Sequence, residues 1–435
     1  MFIPFGGIRM TNKKIVVIGG GWAGCAAALT AKKAGADVTL LERTDMLLGT
    51  GLVGGIFRNN GRYTAAEECI AMGAGDLFEV MEATATHKNM EFPGHKHATL
   101  YNIYKIEPAV KQLLLDRGIK LLMADPAVKT DFDGDRIIAV TTKSGLRLEA
   151  DAFVDVSGSS AMPLNCNKHG NGCAMCILRC HSFGPRVSVT TQAGVEEWTA
   201  EKLTGLGAMS GSCKLFKESL APEIISQLEA TGCCVVPIPE AIKKHKEKLA
   251  MKACQQYALD AYADNIVLLD TGSAKLMTPY YPLEELRMIP GFERARFEDP
   301  LSGGKGNSMR YFNFAHVDAA LKADGKTNLF CGGERAGAMV GHTEAIVSGS
   351  LAGHNATRAA SGLEPVVLPD STALGEFIGY VVKQMLDAET RNKKYTFSGS
   401  VYFERMQEKG LYSTDNAAIK ARVAAAGCTG IFAKL

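Results

Sequence analysis

The 435-residue chain is 46% hydrophobic and 22% charged, with a formal net charge of +2. That length calls for more than one hydrophobic core, and the balance is that of an ordinary globular enzyme rather than the strongly basic field of a chain whose main partner is nucleic acid. No apolar run approaches the roughly 20 residues that cross a bilayer.

Residues 1–10 are too short and too poor in apolar character for a secretory leader, so the folded chain is expected to begin near Met10. Without a leader, twelve cysteines point to reduced thiols, metal ligands or redox chemistry in the cytoplasm rather than a disulfide framework. The β-branched run 13–18 reads as a buried parallel strand. It enters Gly19-Gly20-Gly21-Trp22-Ala23-Gly24, followed by an alanine-rich helix over 25–34 that Gly35 closes. A second strand over 38–41 ends at Glu42 and completes a β-α-β unit. Residues 47–60 read as a glycine-rich loop, and 64–84 and 108–117 as helices. Short strands are expected at 119–123, 127–131, 137–142 and 147–149, with an apolar strand at 152–156 running into Ser157-Gly158-Ser159.

From about 163 to 318 the texture changes to cysteine clusters and glycine loops, and from Asn328 a strand-turn-helix pattern resumes. The expected architecture is α/β: a Rossmann-type FAD-binding fold of the glutathione-reductase-like, two-part kind with an inserted second domain. Its parts are 1–162 and 321–435 for the flavin, with 163–320 inserted.

The glycines carry the cofactor expectation. Gly19, Gly21 and Gly24 stand between a strand and a helix, where they permit a tight turn, close approach of a pyrophosphate and close helix–strand packing. The helix start offers free N–H groups to phosphates. Glu42, eighteen residues past Gly24, is placed to accept hydrogen bonds from ribose hydroxyls, with Arg43 beside it and Gly158 at the later turn. Gly332, Glu334, Gly341, His342, Thr343 and Glu344 form a second strand–turn–helix segment suited to the ribityl chain, with a helix start that favours a reduced, anionic ring. His342 is a candidate proton donor to the flavin or substrate, or a structural residue at a helix start. No second strand–GxGxxG–helix unit stands ready for NAD(P)H, because 205–211 has the wrong spacing.

Residues 15–24, 52–56 and 329–356 resemble the GidA (MnmG) and TrmFO group of flavoproteins. The resemblance covers about the first 160 residues and the last third. It implies FAD and the general architecture; those families modify uridine in tRNA with FAD and a folate one-carbon donor. The TrmFO pattern has a nucleophilic cysteine in the loop after the second strand, whereas 47–60 contains none. The helical tRNA-binding domain of GidA finds no room here.

Cys166, Cys173, Cys176 and Cys180 are spaced C-x6-C-x2-C-x3-C. Four thiolates on a short glycine-containing wrap suit a [4Fe-4S] cluster; a zinc site, a dithiol or unliganded cysteines compete. Cys213 or the Cys233-Cys234 pair could replace Cys166 as fourth ligand. Cys173 and Cys176 are also the candidate redox-active dithiol.

The remaining readings are weaker. Arg186 and the loop 302–307 suggest anion contacts, and Tyr280, Tyr281, Arg287 and Arg310 suggest substrate contacts by location alone. Cys25 reads as core packing, and His87, His95 and His97 as a solvated loop. The expected function is an FAD-dependent oxidoreductase passing electrons between FAD and the cysteines, toward a small substrate or a redox partner such as ferredoxin. The alternatives are a folate-dependent tRNA-uridine methyltransferase and an electron-carrier subunit of a redox complex. Membrane association is not expected, nucleic acid is disfavoured, and homo-oligomerisation is left open.

Overall fold

The computed structural model describes residues 13–158, 187–200, 208–209, 213–243, 249, 255–277, 281–298, 309–310 and 312–435. Its centre is a five-stranded parallel sheet in the order Leu329–Cys331, Ala152–Asp155, Lys14–Ile18, Asp37–Leu41, Lys120–Leu122. The first strand is buried from its second residue onward, as a strand covered on both faces requires. The expected strands and helices of the first β-α-β unit are present as Lys14–Ile18, Trp22–Lys33 and Asp37–Leu41.

The two ends of the chain build this layer together. The helix Trp22–Lys33 lies against the long helix His342–Ala360, and small residues set their separation. A Cβ on Gly349 would overlap the Ala23 carbonyl, and one on Gly353 the Ala27 carbonyl. Residues four apart share a helix face, so two glycines facing two alanines make one seam that brings the backbones together. Thr30 Oγ1 seals it by donating to the Ser350 carbonyl at 2.9 Å.

A second body grows from the middle of the chain. Cys213–Leu215, Ala274–Leu276, Asn265–Asp270 and Cys233–Pro237 form an antiparallel sheet. One face packs on the helix Pro222–Thr231, through Leu215, Ile224, Leu228, Ala274 and Leu276. The other packs on a hairpin, Ala85–Phe92 with His95–Tyr101, through Met90, Leu100, Val267 and Leu269.

Three local expectations are corrected. The helix expected over 64–84 is two helices, Gly61–Ala71 and Asp76–Ala83; Gly73, at φ +95°, ends the first. The 47–60 loop contains a helical turn, Gly49–Val53, and a short strand, Ile56–Phe57, paired with His95–Tyr101. His87, His95 and His97 stand in the hairpin rather than in a solvated loop. His87 Nε2 lies 3.1 Å from Asp270 Oδ2, and buried His95 stacks on Phe92 with ring centroids 4.6 Å apart. The hairpin escaped notice because its pairing slips register three times, which erases the two-residue alternation by which strands are recognised. No helix among the described residues is long and apolar enough to cross a membrane.

Candidate flavin site

The parallel strands end along one edge, where ligands of open α/β sheets bind. At that edge the glycines divide into two kinds. Gly19 has φ +109°, and a Cβ there would lie 2.7 Å from the Val156 carbonyl oxygen; a Cβ on Gly24 would overlap the Gly19 carbonyl. These two allow the strand, turn and helix to touch. Gly21 is different, since a Cβ there would meet nothing within 4 Å. It precedes Trp22–Lys33 at a helix start with no side-chain cap. Gly158, at φ +82°, also faces open space. An uncapped helix start beside two open glycines is a cradle whose free N–H groups fit a pyrophosphate, so the residues present fit FAD.

Glu42 closes the second strand as expected. Its Oε2 accepts from Gly20 N at 2.7 Å, and its Oε1 from Thr44 N at 2.7 Å and Thr44 Oγ1 at 2.9 Å. Burial pushes the carboxyl above its ordinary pKa, and these donors act against that push. Arg43 follows it directly.

The turn after Glu42 crosses the cradle as a strap. Leu47 N donates to Glu107 Oε1 at 3.0 Å and Leu48 N to the Gly20 carbonyl at 2.7 Å. Beyond them the strap lies flat on two rings: a Cβ on Gly51 would overlap the Trp22 indole, and one on Gly54 the His342 imidazole. Trp22, Tyr101 and His342 form a triangle, with centroids 6.0 Å apart for Trp22–Tyr101, 5.9 Å for Trp22–His342 and 6.2 Å for Tyr101–His342. The Tyr101 hydroxyl lies 3.0 Å from His342 Nδ1. Burial drives the Tyr101 pKa upward, so the phenol keeps its proton, and the hydroxyl also lies 3.5 Å from the Gly51 carbonyl oxygen.

His342 opens the long helix after Gly341, whose φ is +142°. A buried ion pair holds that start in place: Arg62 Nε lies 3.0 Å from Glu344 Oε1 and 3.1 Å from Oε2. Thr396 Oγ1 and Phe397 N also donate to Oε1, at 2.6 and 2.8 Å. The Glu344 carboxylate is thus fully buried and held by protein donors. The Thr343 side chain is fully buried too. Gly332 packs on Val156 and Gly349, and Glu334 stands half-buried in the turn Gly333–Arg335.

Arg335, which the sequence did not single out, is fully buried. It pairs with Asp155 at 3.5 Å and with Glu197, and donates to the Asn313 carbonyl at 3.3 Å. Burial raises the Glu197 pKa, but the Arg335 charge and the hydrogen bonds from Arg335, Ser188 and Thr191 together outweigh it and hold the carboxyl below its ordinary range. Lys275 was also missed; its Nζ donates to the Gly54 carbonyl at 2.6 Å.

Cys166, Cys173, Cys176 and Cys180 lie outside the described residues, as do Arg186, Tyr280 and 302–307. Among the described residues no group of three or more His, Cys, Asp or Glu is placed to hold a metal ion. Cys233 and Cys234 face opposite sides of their strand, Cys234 in one core and Cys233 against the other, so they do not converge on a single ion. Tyr281 is buried, and Arg287 is exposed with its Nε donating to the Ala295 carbonyl at 3.1 Å. Cys25 is core, as read from sequence, and burial raises its pKa.

Residues 14–163 match the family model described as FAD dependent oxidoreductase, and 260–364 the one described as Glucose inhibited division protein A. The chain is 40% identical over 95 residues to the methylenetetrahydrofolate–tRNA-(uracil-5-)-methyltransferase TrmFO of Lactobacillus helveticus, which covers 22% of each chain. It is 36% identical over 96 residues to the TrmFO of Desulforudis audaxviator, over 22% of this chain and 21% of that one. The match thus spans about a fifth of the length of these curated relatives. The form II crystal structure of Aquifex aeolicus GidA superposes with a TM-score of 0.64 at 15% identity, over 96% of this chain and 77% of that one, which shows a shared fold. The chain is a GidA/TrmFO-like flavoprotein of the FAD-dependent oxidoreductase class, built on a Rossmann-type flavin-binding fold.

Proposed function

We propose that this protein is an FAD-dependent enzyme that modifies uridine in tRNA, using reducing equivalents and a folate one-carbon donor. One observation carries this reading. The two family matches cover segments far apart in sequence, yet they meet in space at one corner: Trp22, Gly54 and Tyr101 come from the first, Lys275 and His342 from the second. Bound FAD would supply two-electron chemistry. Gly19, Gly21, Gly24 and Gly158 form the pyrophosphate cradle in this reading, with Glu42 and Arg43 toward the ribose and Gly332, Glu334 and Gly341 along the ribityl side. His342 brings its imidazole to this corner, held by the Tyr101 hydroxyl at Nδ1. The segments 1–162 and 321–435 serve the flavin, and 163–320 faces substrate. The test is to incubate FAD-loaded protein with an unmodified tRNA transcript, methylenetetrahydrofolate and a reduced nicotinamide, then digest the RNA for mass spectrometry. Folate-dependent methylation of uridine is expected. Unchanged uridine with fully loaded protein overturns the reading.

A second reading rests on the C-x6-C-x2-C-x3-C spacing of Cys166, Cys173, Cys176 and Cys180. There the flavin exchanges electrons with a [4Fe-4S] cluster or a dithiol, and through it with ferredoxin or a small substrate. Protein purified without oxygen should then carry about four irons per chain. Protein free of iron and labile sulfide removes the cluster form.

A further inference from the structure

The strand Ala274–Leu276 buries Ala274 and Leu276 in the core under the helix Pro222–Thr231. Strand alternation turns Lys275 to the other face, opposite Leu269 in the ladder and on the side of Val267 and Met277. A lysine there is costly. It is 5% exposed, and withdrawing an ammonium from water costs several kcal/mol unless other interactions compensate. A leucine or methionine would fill the same face without that cost.

The side chain reaches out of its own core to the strap, donating to the Gly54 carbonyl at 2.6 Å. The strap meets the inserted body a second time at Gly55, where a Cβ would overlap the Thr271 methyl. Gly54 touches the His342 ring from its other side. The positive end of the long helix and a buried cation therefore flank one glycine, arriving from opposite bodies of the molecule. Reduction of a flavin places negative charge on its ring system. A cation in water-poor surroundings stabilises such charge far more than one in solvent.

We infer that Lys275 is the electrostatic residue of the redox site: it sets the flavin potential upward from the inserted body while anchoring the strap. This rests on the flavin reading above and goes beyond it in making the inserted body part of the redox centre. Lys275 acts through its charge at the Gly54 corner, whereas His342 supplies the proton-bearing group there.

The experiment compares wild type, Lys275→Met and Lys275→Arg, each reconstituted with FAD. Bound FAD is counted from absorbance, the two-electron midpoint potential is measured against reference dyes, and sulfite affinity is read from flavin bleaching. The methionine variant is expected to bind FAD, to lose at least tenfold in sulfite affinity, and to shift its two-electron equilibrium toward oxidised flavin by at least tenfold, about 30 mV. The arginine variant should stay within threefold of wild type. Wild-type protein that binds no FAD overturns the flavin reading itself. Wild type that binds FAD, with an unchanged potential in the methionine variant, overturns the role of Lys275 alone. If the methionine variant fails to fold, the arginine variant decides: a tenfold shift there, despite the retained charge, marks Lys275 as a packing tether and overturns the proposal.

Discussion

Gly54 lies so close to His342 that any side chain at that position would overlap the imidazole. The strap from Leu48 to Gly55 therefore meets the rings of Trp22 and His342 through bare backbone at Gly51 and Gly54, and its shape depends on glycine there for room rather than for backbone angle.

Gly54→Ala tests that contact. The added methyl must displace either the strap or the ring, at a cost typical of overpacking, about 1–3 kcal/mol. FAD affinity is expected to fall at least tenfold, measured by fluorescence of released flavin. A variant that keeps wild-type affinity shows that the strap is not part of the site.

The open and closed glycines of the cradle make a paired prediction. Gly24→Ala drives a methyl into the Gly19 carbonyl and should destabilise the apoprotein as well as abolish flavin binding. Gly21→Ala meets no atom of the described residues within 4 Å, so apoprotein stability should stay within about 0.5 kcal/mol while FAD binding weakens tenfold or more. Thermal melts with and without FAD separate the two. Equal destabilisation of both apoproteins contradicts the assignment of Gly21 to ligand approach.

Arg335→Met leaves Asp155 and Glu197 buried without their cation. Breaking a buried pair from one side costs about 3–5 kcal/mol, read here by urea denaturation. Glu197 also fixes a pH dependence. Its folded pKa is depressed, so its stabilisation is complete above the unfolded value of about 4.5 and is lost as pH falls through the folded value. Arg335→Met should flatten that acid limb, and an unaltered limb would count against the pair.

His354 predicts an acid limb at higher pH. It is buried in the long helix against Phe432, with ring centroids 5.6 Å apart, and neither ring nitrogen has a hydrogen-bond partner among the described residues. Burial, helped by Arg358, lowers its pKa to about 4. The unfolded chain therefore binds a proton that the folded chain refuses. Stability rises with pH between about 4 and 6.5 and is level above. The full effect is on the order of 3 kcal/mol, and His354→Leu should erase it. Denaturation midpoints from pH 4 to 7 give the answer.

Much of the flavin half was legible in the residues because its causes are local. A β-branched run, three glycines, an alanine-rich helix and an acid at the next strand end all lie between residues 14 and 42, and each follows from backbone sterics within a turn or two. His342 was legible for the same reason, at the start of a helix after a glycine. The ion pair of Glu344 was not legible because its partner, Arg62, lies 282 residues away, and composition carries no sign of which acid meets which arginine. The hairpin 85–101 was hidden by its own register slips.

From sequence alone came the parallel sheet, the glycine turn between its first strand and helix, and the cofactor class, since strand, turn and helix formation depend on neighbours along the chain. Only the tertiary structure decided what surrounds the redox corner. Tyr101 reaches His342 across 241 residues and Lys275 reaches Gly54 across 221, contacts that exist because elements far apart in the chain pack against one another. A side chain's chemistry depends on what shares its burial, and that is set by packing between elements that no local pattern links.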